Sequence, residues 1–185
     1  MKCQYPLLIA ALWVAPILVH AQAKYGARDG TITFFSHAPL EDITAVNRNA
    51  ASVLVPQTGA MEFSVLIKAF EFKRAMMQIH FNENYMESSH YPKAVFKGRV
   101  EPKEGDDLSE PGNHLADVDG TLNIHGVEKP LHITASLNVA KDGTIHATSK
   151  FDVRPADHAI AVPGIVREKI AETIEVTVDI TYHKL

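Results

Sequence analysis

From Thr121 to Ile133 the chain reads Thr-Leu-Asn-Ile-His-Gly-Val-Glu-Lys-Pro-Leu-His-Ile, two runs of alternating apolar and polar residues that meet at His125-Gly126. Alternation with period two marks a strand that buries one face. A two-residue loop ending in glycine is a favoured hairpin connection, because its backbone twist matches that of the strands it joins. Both loop positions need positive φ, which glycine adopts freely and histidine tolerates better than most residues. This loop sets Ile124 against Val127, Gly120 against Leu131, Val118 against Ile133 and Ala116 against Ala135. The inner face so formed is apolar except at Lys129, opposite Leu122.

The same pattern recurs along the chain. Gly30–Ser36 reads as a strand with Ile32 and Phe34 inward. A weaker strand follows over Asp42–Val46, then a loop over Asn47–Ala51 and a short strand over Ser52–Val55. Met61, Phe63, Val65 and Ile67 alternate with Glu62, Ser64, Leu66 and Lys68, and Ala94, Phe96 and Val100 share a face further on. Glu101–Asn113, acidic and broken by Pro and Gly, is a solvent loop. After the hairpin, Leu131, Ile133, Ala135, Leu137 and Val139 lie on one side of their strand.

The turn at Lys141-Asp142-Gly143 must be three residues long, with Gly143 left-handed. Only that length pairs Val139 with Ile145, Leu137 with Ala147, Ala135 with Ser149 and Ile133 with Phe151; a slip of one residue would turn the apolar set toward water. The same register sets His132 across from Asp152. Arg154–Lys169 is a loop anchored by Ile160, Val162 and Ile165. Ala171–Tyr182 closes the pattern, with Ile174, Val176, Val178, Ile180 and Tyr182 on one face.

Between Phe70 and Tyr91 the period changes. Met77, Phe81 and Tyr85 are spaced by four, which stacks them on one helical face, although Asn82 could cap a second short helix and split the stripe. Two readings of the stripe stand: ordinary core packing, or an adaptable lid over a cavity. Tyr91 precedes Pro92 and must be extended. The sum is a mainly β chain of about eight one-sided strands with one short helical segment. One short helix cannot cover that much apolar sheet, so the strands bury their faces against each other as a sandwich or a closed antiparallel barrel. Closure also removes exposed edges. A barrel of that size is about wide enough for its own side chains or one small ligand.

Residues 1–21 stand apart from this pattern. A positive start at Lys2 and the apolar run Leu7–Val19 have the form of an export signal peptide, with small-residue cleavage signals at Val19-His20-Ala21 and Ala21-Gln22-Ala23. Cutting after Ala21 leaves a single domain over 22–185, periplasmic or secreted, with no stable membrane insertion. The sole cysteine, Cys3, leaves with the leader, so no disulfide, thiolate metal site or cysteine nucleophile is expected. Eighteen basic against 22 acidic residues, a net of -4, gives no basic surface for nucleic acid.

Thr121–Leu131 resembles the signature hairpin of the YceI-like family, and Tyr91-Pro92-Lys93-Ala94-Val95-Phe96 resembles that family's Tyr-Pro-x-Ala-x-Phe segment. The resemblance runs from about Gly30 to Tyr182. It implies an exported, lipocalin-like barrel that holds a polyisoprenoid or other lipidic ligand in an apolar cavity and is not an enzyme. The chain departs from the family where a ligand would enter. An Arg-Asp-x-x-Leu helix common in the family is replaced by Arg74-Ala75-Met76-Met77-Gln78-Ile79-His80-Phe81, and the early strands lack a Gly-rich aromatic segment.

Phe34, Phe63, Ile67 and Phe96 form one half of the candidate binding set, and Leu122, Leu131, Phe151 and Val176 the other. Met77, Phe81 and Tyr85 roof it. The same residues would equally fill a solid core, in which case the barrel would be a protein-interaction module. Lys129, the one charge on the inner face, either meets a ligand's polar head or snorkels to solvent. Ten histidines are present, but no His-x-His or His-Glu-x-x-His spacing occurs, so neither a metal nor a cofactor is expected. His80 and His158 are the two whose segments could approach the barrel mouth. No Gly-x-Ser-x-Gly elbow or phosphate-cradling loop is present. Oligomeric state is left open, a dimer being one option.

Overall fold

A computed structural model describes residues 23–185; the expected leader, its cleavage signals and Cys3 lie outside the described residues. Nine strands form among those residues: β1 (Tyr25–Ala38), β2 (Glu41–Val55), β3 (Ala60–Leu66), β4 (Glu71–Phe72), β5 (Lys93–Pro102), β6 (Gly112–Ile124), β7 (Val127–Val139), β8 (Ile145–Val153) and β9 (Ile174–Lys184). Their order is β1-β9-β8-β7-β6-β5-β3-β2, and β1 pairs with β2 to close the ring. All neighbours are antiparallel, so the result is an eight-stranded closed barrel, with β4 as a two-residue extra strand beside β2. One short helix, α1 (Ala75–His80), leads into a π-type turn at Phe81–Tyr85.

Both expected hairpins form in register. Ile124 pairs with Val127, Val118 with Ile133 and Ala116 with Ala135, and the loop residues His125 and Gly126 take φ of 53° and 76°. Val139 pairs with Ile145, Leu137 with Ala147 and Ala135 with Ser149, with Gly143 at φ 84°.

The strands differ from the sequence reading in several places; the expected loop Glu101–Asn113, for one, gives up Glu101 and Pro102 to β5 and Gly112 and Asn113 to β6. The β7–β8 ladder ends at Ala135 and Ser149, so Ile133 does not pair with Phe151 and His132 does not face Asp152. Asp152 lies opposite Glu175 on β9, whereas His132 Nδ1 bonds the Asp119 carboxylate on β6. That hydrogen bond and the Asp119 charge raise the His132 pKa above its ordinary value. The two strands part because a 3-10 turn, Pro155–His158, lies alongside β7. His158 Nδ1 donates to the Val127 carbonyl at 3.1 Å, and His125 Nδ1 donates to the His158 carbonyl at 3.3 Å.

Asn47–Ala51 is not a loop, because β2 runs unbroken from Glu41 to Val55. Along it the partner changes from β3, opposite residues 51–55, to β4, opposite Ala45 and Val46. Asn47 bridges the change: fully buried, it donates from Nδ2 to the Leu66 carbonyl at 2.8 Å and accepts from the Asn49 amide at 2.8 Å. A residue type that usually marks a turn here replaces missing ladder bonds. Strand β1 begins at Tyr25, ahead of the expected start.

One end of the barrel is solid. Leu54, Leu137, Ile145, Ile180 and Tyr182 are each at most 1 % exposed and pack with Val100 and Leu108. Ser52 Oγ donates to the Glu62 carbonyl at 2.9 Å, which engages its one proton, so the Tyr182 hydroxyl donates to Ser52 Oγ at 2.8 Å. Burial pushes the Tyr182 phenol well above its ordinary pKa, and the Ser52 bond only partly counters this. Tyr182→Phe is therefore expected to cost about 1 kcal/mol, read as a lower urea midpoint with an unchanged m value.

Candidate functional site

The other end is hollow. Inward residues of the eight barrel strands enclose a cavity of about 610 Å³, with Met61, Ile180 and Tyr182 as its floor. That volume lies in the range of small-molecule sites. Strand parity brings the wall residues together: Phe96 and Phe63 are directly opposite on β5 and β3, Phe96 and Leu122 on β5 and β6, and Val176 stands between Phe34 and Phe151.

Of the residues singled out by alternation, Phe34, Phe63, Ile67 and Phe96 line this cavity, as do Leu122, Leu131, Phe151 and Val176. Ile67 is the most enclosed of them at 2 % exposed. Lys129 does not line it. The register places it opposite Leu122 as expected, but close to the turn its side chain reaches solvent instead of turning inward.

Met77, Phe81 and Tyr85 also reach the cavity, though through a different backbone from the one expected. After the short α1 the hydrogen bonding widens, with the Met86 amide bonded to the Phe81 carbonyl at 2.9 Å. This five-residue turn brings Met86, 7 % exposed, into a buried cluster with Ile67 and Ile160, against which Phe81 and Tyr85 pack. Asn82 does not cap a helix; its Nδ2 donates back to the Gln78 carbonyl at 2.8 Å. The segment serves both readings of its stripe: it packs on the barrel and roofs the void.

The strongest feature missed by sequence reasoning is an aromatic cluster at the mouth. Phe34 lies 5.5 Å from Phe70, 5.6 Å from Phe72 and 5.5 Å from Phe81, ring centre to ring centre, and Phe72 lies 5.0 Å from Phe81. Such tilted pairs each add to area burial. Phe70-x-Phe72 is a period-two signal, obscured by the helical period that begins beside it. The β8–β9 loop contributes Ile160, Val162, Val166 and Ile170 to the lining. Ile165, expected as an anchor, is 91 % exposed, because the 3-10 turn Gly164–Val166 directs its neighbour Val166 inward instead.

Charge is confined to the mouth. Glu41, Arg74 and Lys169 are the ionised residues in the lining, joined there by His80. Arg74 Nη2 meets Glu41 Oε1 at 2.5 Å. His80 is exposed, whereas His158 is 3 % exposed and engaged in the β7 contact. Among the described residues no group of three or more His, Cys, Asp or Glu side chains is placed to hold a metal.

The comparisons with known proteins agree with this geometry. No match is found among curated proteins. Among solved structures, a polyisoprenoid binding domain from Saccharophagus degradans, implicated in plant cell wall breakdown, is similar with a TM-score of 0.74 at 16% identity, over 89% of this chain and 99% of that one. BcnA of Burkholderia cenocepacia gives 0.66 at 14% identity, over 82% and 95%. The YceI protein of Campylobacter jejuni gives 0.57 at 16% identity, over 100% and 99%. At these identities the likeness establishes the shared barrel. The family model for the YceI-like domain matches residues 21–182, and with the barrel and its signature hairpin in place, the chain belongs to the YceI-like family.

Proposed function

We propose that the mature protein is an exported, non-catalytic carrier or store for a polyisoprenoid or other long-chain lipid, held in the hollow half of the barrel. The observation that carries this reading is the apolar cavity of about 610 Å³ above a solid floor. Each buried methylene contributes about 0.8 kcal/mol, so ten of them supply roughly 8 kcal/mol before ordering costs, the scale of a micromolar complex. A filled barrel acting as an interaction module would have no such void. The polyisoprenoid-binding relative lends further support.

Membership of the YceI-like family and the polyisoprenoid-binding relative support a binding role in place of a catalytic one. Export rests on the leader-like residues 1–21. Organic extraction of protein purified after export, followed by mass spectrometry, tests the proposal. A reproducible long-chain lipid at near-equal stoichiometry is expected; repeated preparations free of any lipid would oppose it.

A further inference from the structure

The distribution of charge around the cavity says which way a guest lies and what its head carries. We propose that the ligand has an anionic head group, a phosphate or a carboxylate, held at the mouth by Lys169 beside Arg74, with its tail directed at the Tyr182 floor. This rests on the lipid-binding reading above and adds the head-group chemistry.

The walls and floor carry no ionised side chain. The Tyr182 hydroxyl donates to Ser52 and Ser36 Oγ accepts from the Ala171 amide, which leaves the neutral hydroxyls of Ser36 and Ser149 as the donors there. An ionised head placed there would lose most of its water and meet no cation, at a cost of several kcal/mol. At the mouth the balance reverses. Glu41, only 19 % exposed at its side chain, is neutralised by Arg74 at 2.5 Å. Lys169 has no carboxylate within ion-pair reach among the described residues.

The three groups belong to one side of the opening. The Leu40 amide donates to the Glu168 carbonyl at 2.9 Å, which ties the β1–β2 turn, next to Glu41, to the segment bearing Lys169. Among the lining residues two cations stand against one carboxylate, an excess of positive charge beside a low-dielectric interior, where attraction for an anion exceeds that in open water. A lysine head at such a rim donates charge-assisted hydrogen bonds to phosphate or carboxylate oxygens. An alcohol could accept a bond from the ammonium but carries no opposite charge to complement it. Lys129, the cation the hairpin register had singled out, faces solvent instead; the role passes to a residue of the β8–β9 loop that alternation could not place.

Competition against a fluorescent apolar probe, N-phenyl-1-naphthylamine, reads the head-group preference. The ligands are farnesyl phosphate and farnesol, and palmitate and hexadecanol, each tested on the wild-type chain and on Lys169→Gln at low and high salt. The wild type is expected to bind at least one anionic member about tenfold more tightly than its alcohol, the scale of one charge-assisted hydrogen bond. K169Q is expected to remove that preference, as is high salt, by weakening the anionic ligands far more than the alcohols. Lys169 is exposed, so the substitution leaves the fold intact. A preference for the phosphate alone or for the carboxylate alone identifies the source of the head. Equal binding of anion and alcohol, or a preference that survives K169Q, overturns the inference while leaving the carrier standing. Failure of all four ligands to bind overturns both.

Discussion

Gly120→Val is expected to destabilise the barrel by about 3 kcal/mol, the upper end of what overpacking a tight interior costs. Gly120 on β6 lies directly across from Gly98 on β5, and both sit at inward positions. A Cβ on Gly120 would stand 2.4 Å from the Lys97 carbonyl oxygen and 2.7 Å from Phe96 Cζ. On Gly98 it would stand 2.2 Å from the Asp119 oxygen and 2.6 Å from the same ring atom. The two bare backbones form a shelf on which the Phe96 ring lies, and that ring is part of the cavity wall. No rotamer relieves a collision with a carbonyl, so the strands must separate or the ring must swing into the void. Gly164→Ala is the control, since its Cβ would meet nothing within 4 Å; a change within about 0.5 kcal/mol is expected there. Urea unfolding of the two variants measures the contrast. Equal stability of Gly120→Val and wild type would mean that β5 and β6 do not approach as closely as described.

Val176→Trp is expected to abolish binding of a long-chain lipid while changing stability by no more than about 1 kcal/mol. Val176 is half-buried on β9, between Phe34 and Phe151, and faces the cavity. Enlarging a side chain in a packed core forces strain, but beside a void the added ring occupies space that water or a guest would fill. The variant should fold, unfold cooperatively and yield little or no lipid on extraction. Val53→Trp, at a 42 % exposed position outside the cavity lining, should keep its lipid. Retention of the lipid by Val176→Trp at wild-type levels would remove this part of the cavity from the binding site.

Much of the fold could be read from alternation, because each strand buries one face and each short turn fixes the register of two strands. The His125-Gly126 and Lys141-Asp142-Gly143 turns therefore determined the pairing of β6 with β7, and of β7 with β8 as far as Ala135 and Ser149. Pairing beyond a turn is decided at longer range. The separation of β7 from β8 past Ala135 depends on the Pro155–His158 turn lying alongside β7, a contact between segments with no local pattern to report it. Asn47 misled for a related reason: a buried amide that completes the β2 ladder has the same sequence signature as a surface turn.

The walls of the candidate site were legible for the same reason as the strands. Its roof and mouth were not. Phe72 enters through a two-residue strand, too short for any periodic signal, and Val166 enters through a turn that points its neighbour Ile165 at solvent. Whether the barrel was hollow could not be read at all. Inward residues of the same apolar kind fill one end and line a void at the other.

Methyl NMR of the Ile, Leu and Val side chains during titration with farnesol tests the half-hollow barrel most directly. Large shifts are expected at Val65, Leu122 and Val176, which line the cavity, and none beyond small changes at Leu54, Leu137 and Ile145 in the solid end. Saturable shifts confined to outer positions such as Val53 and Leu115, with the cavity methyls unmoved, would contradict it.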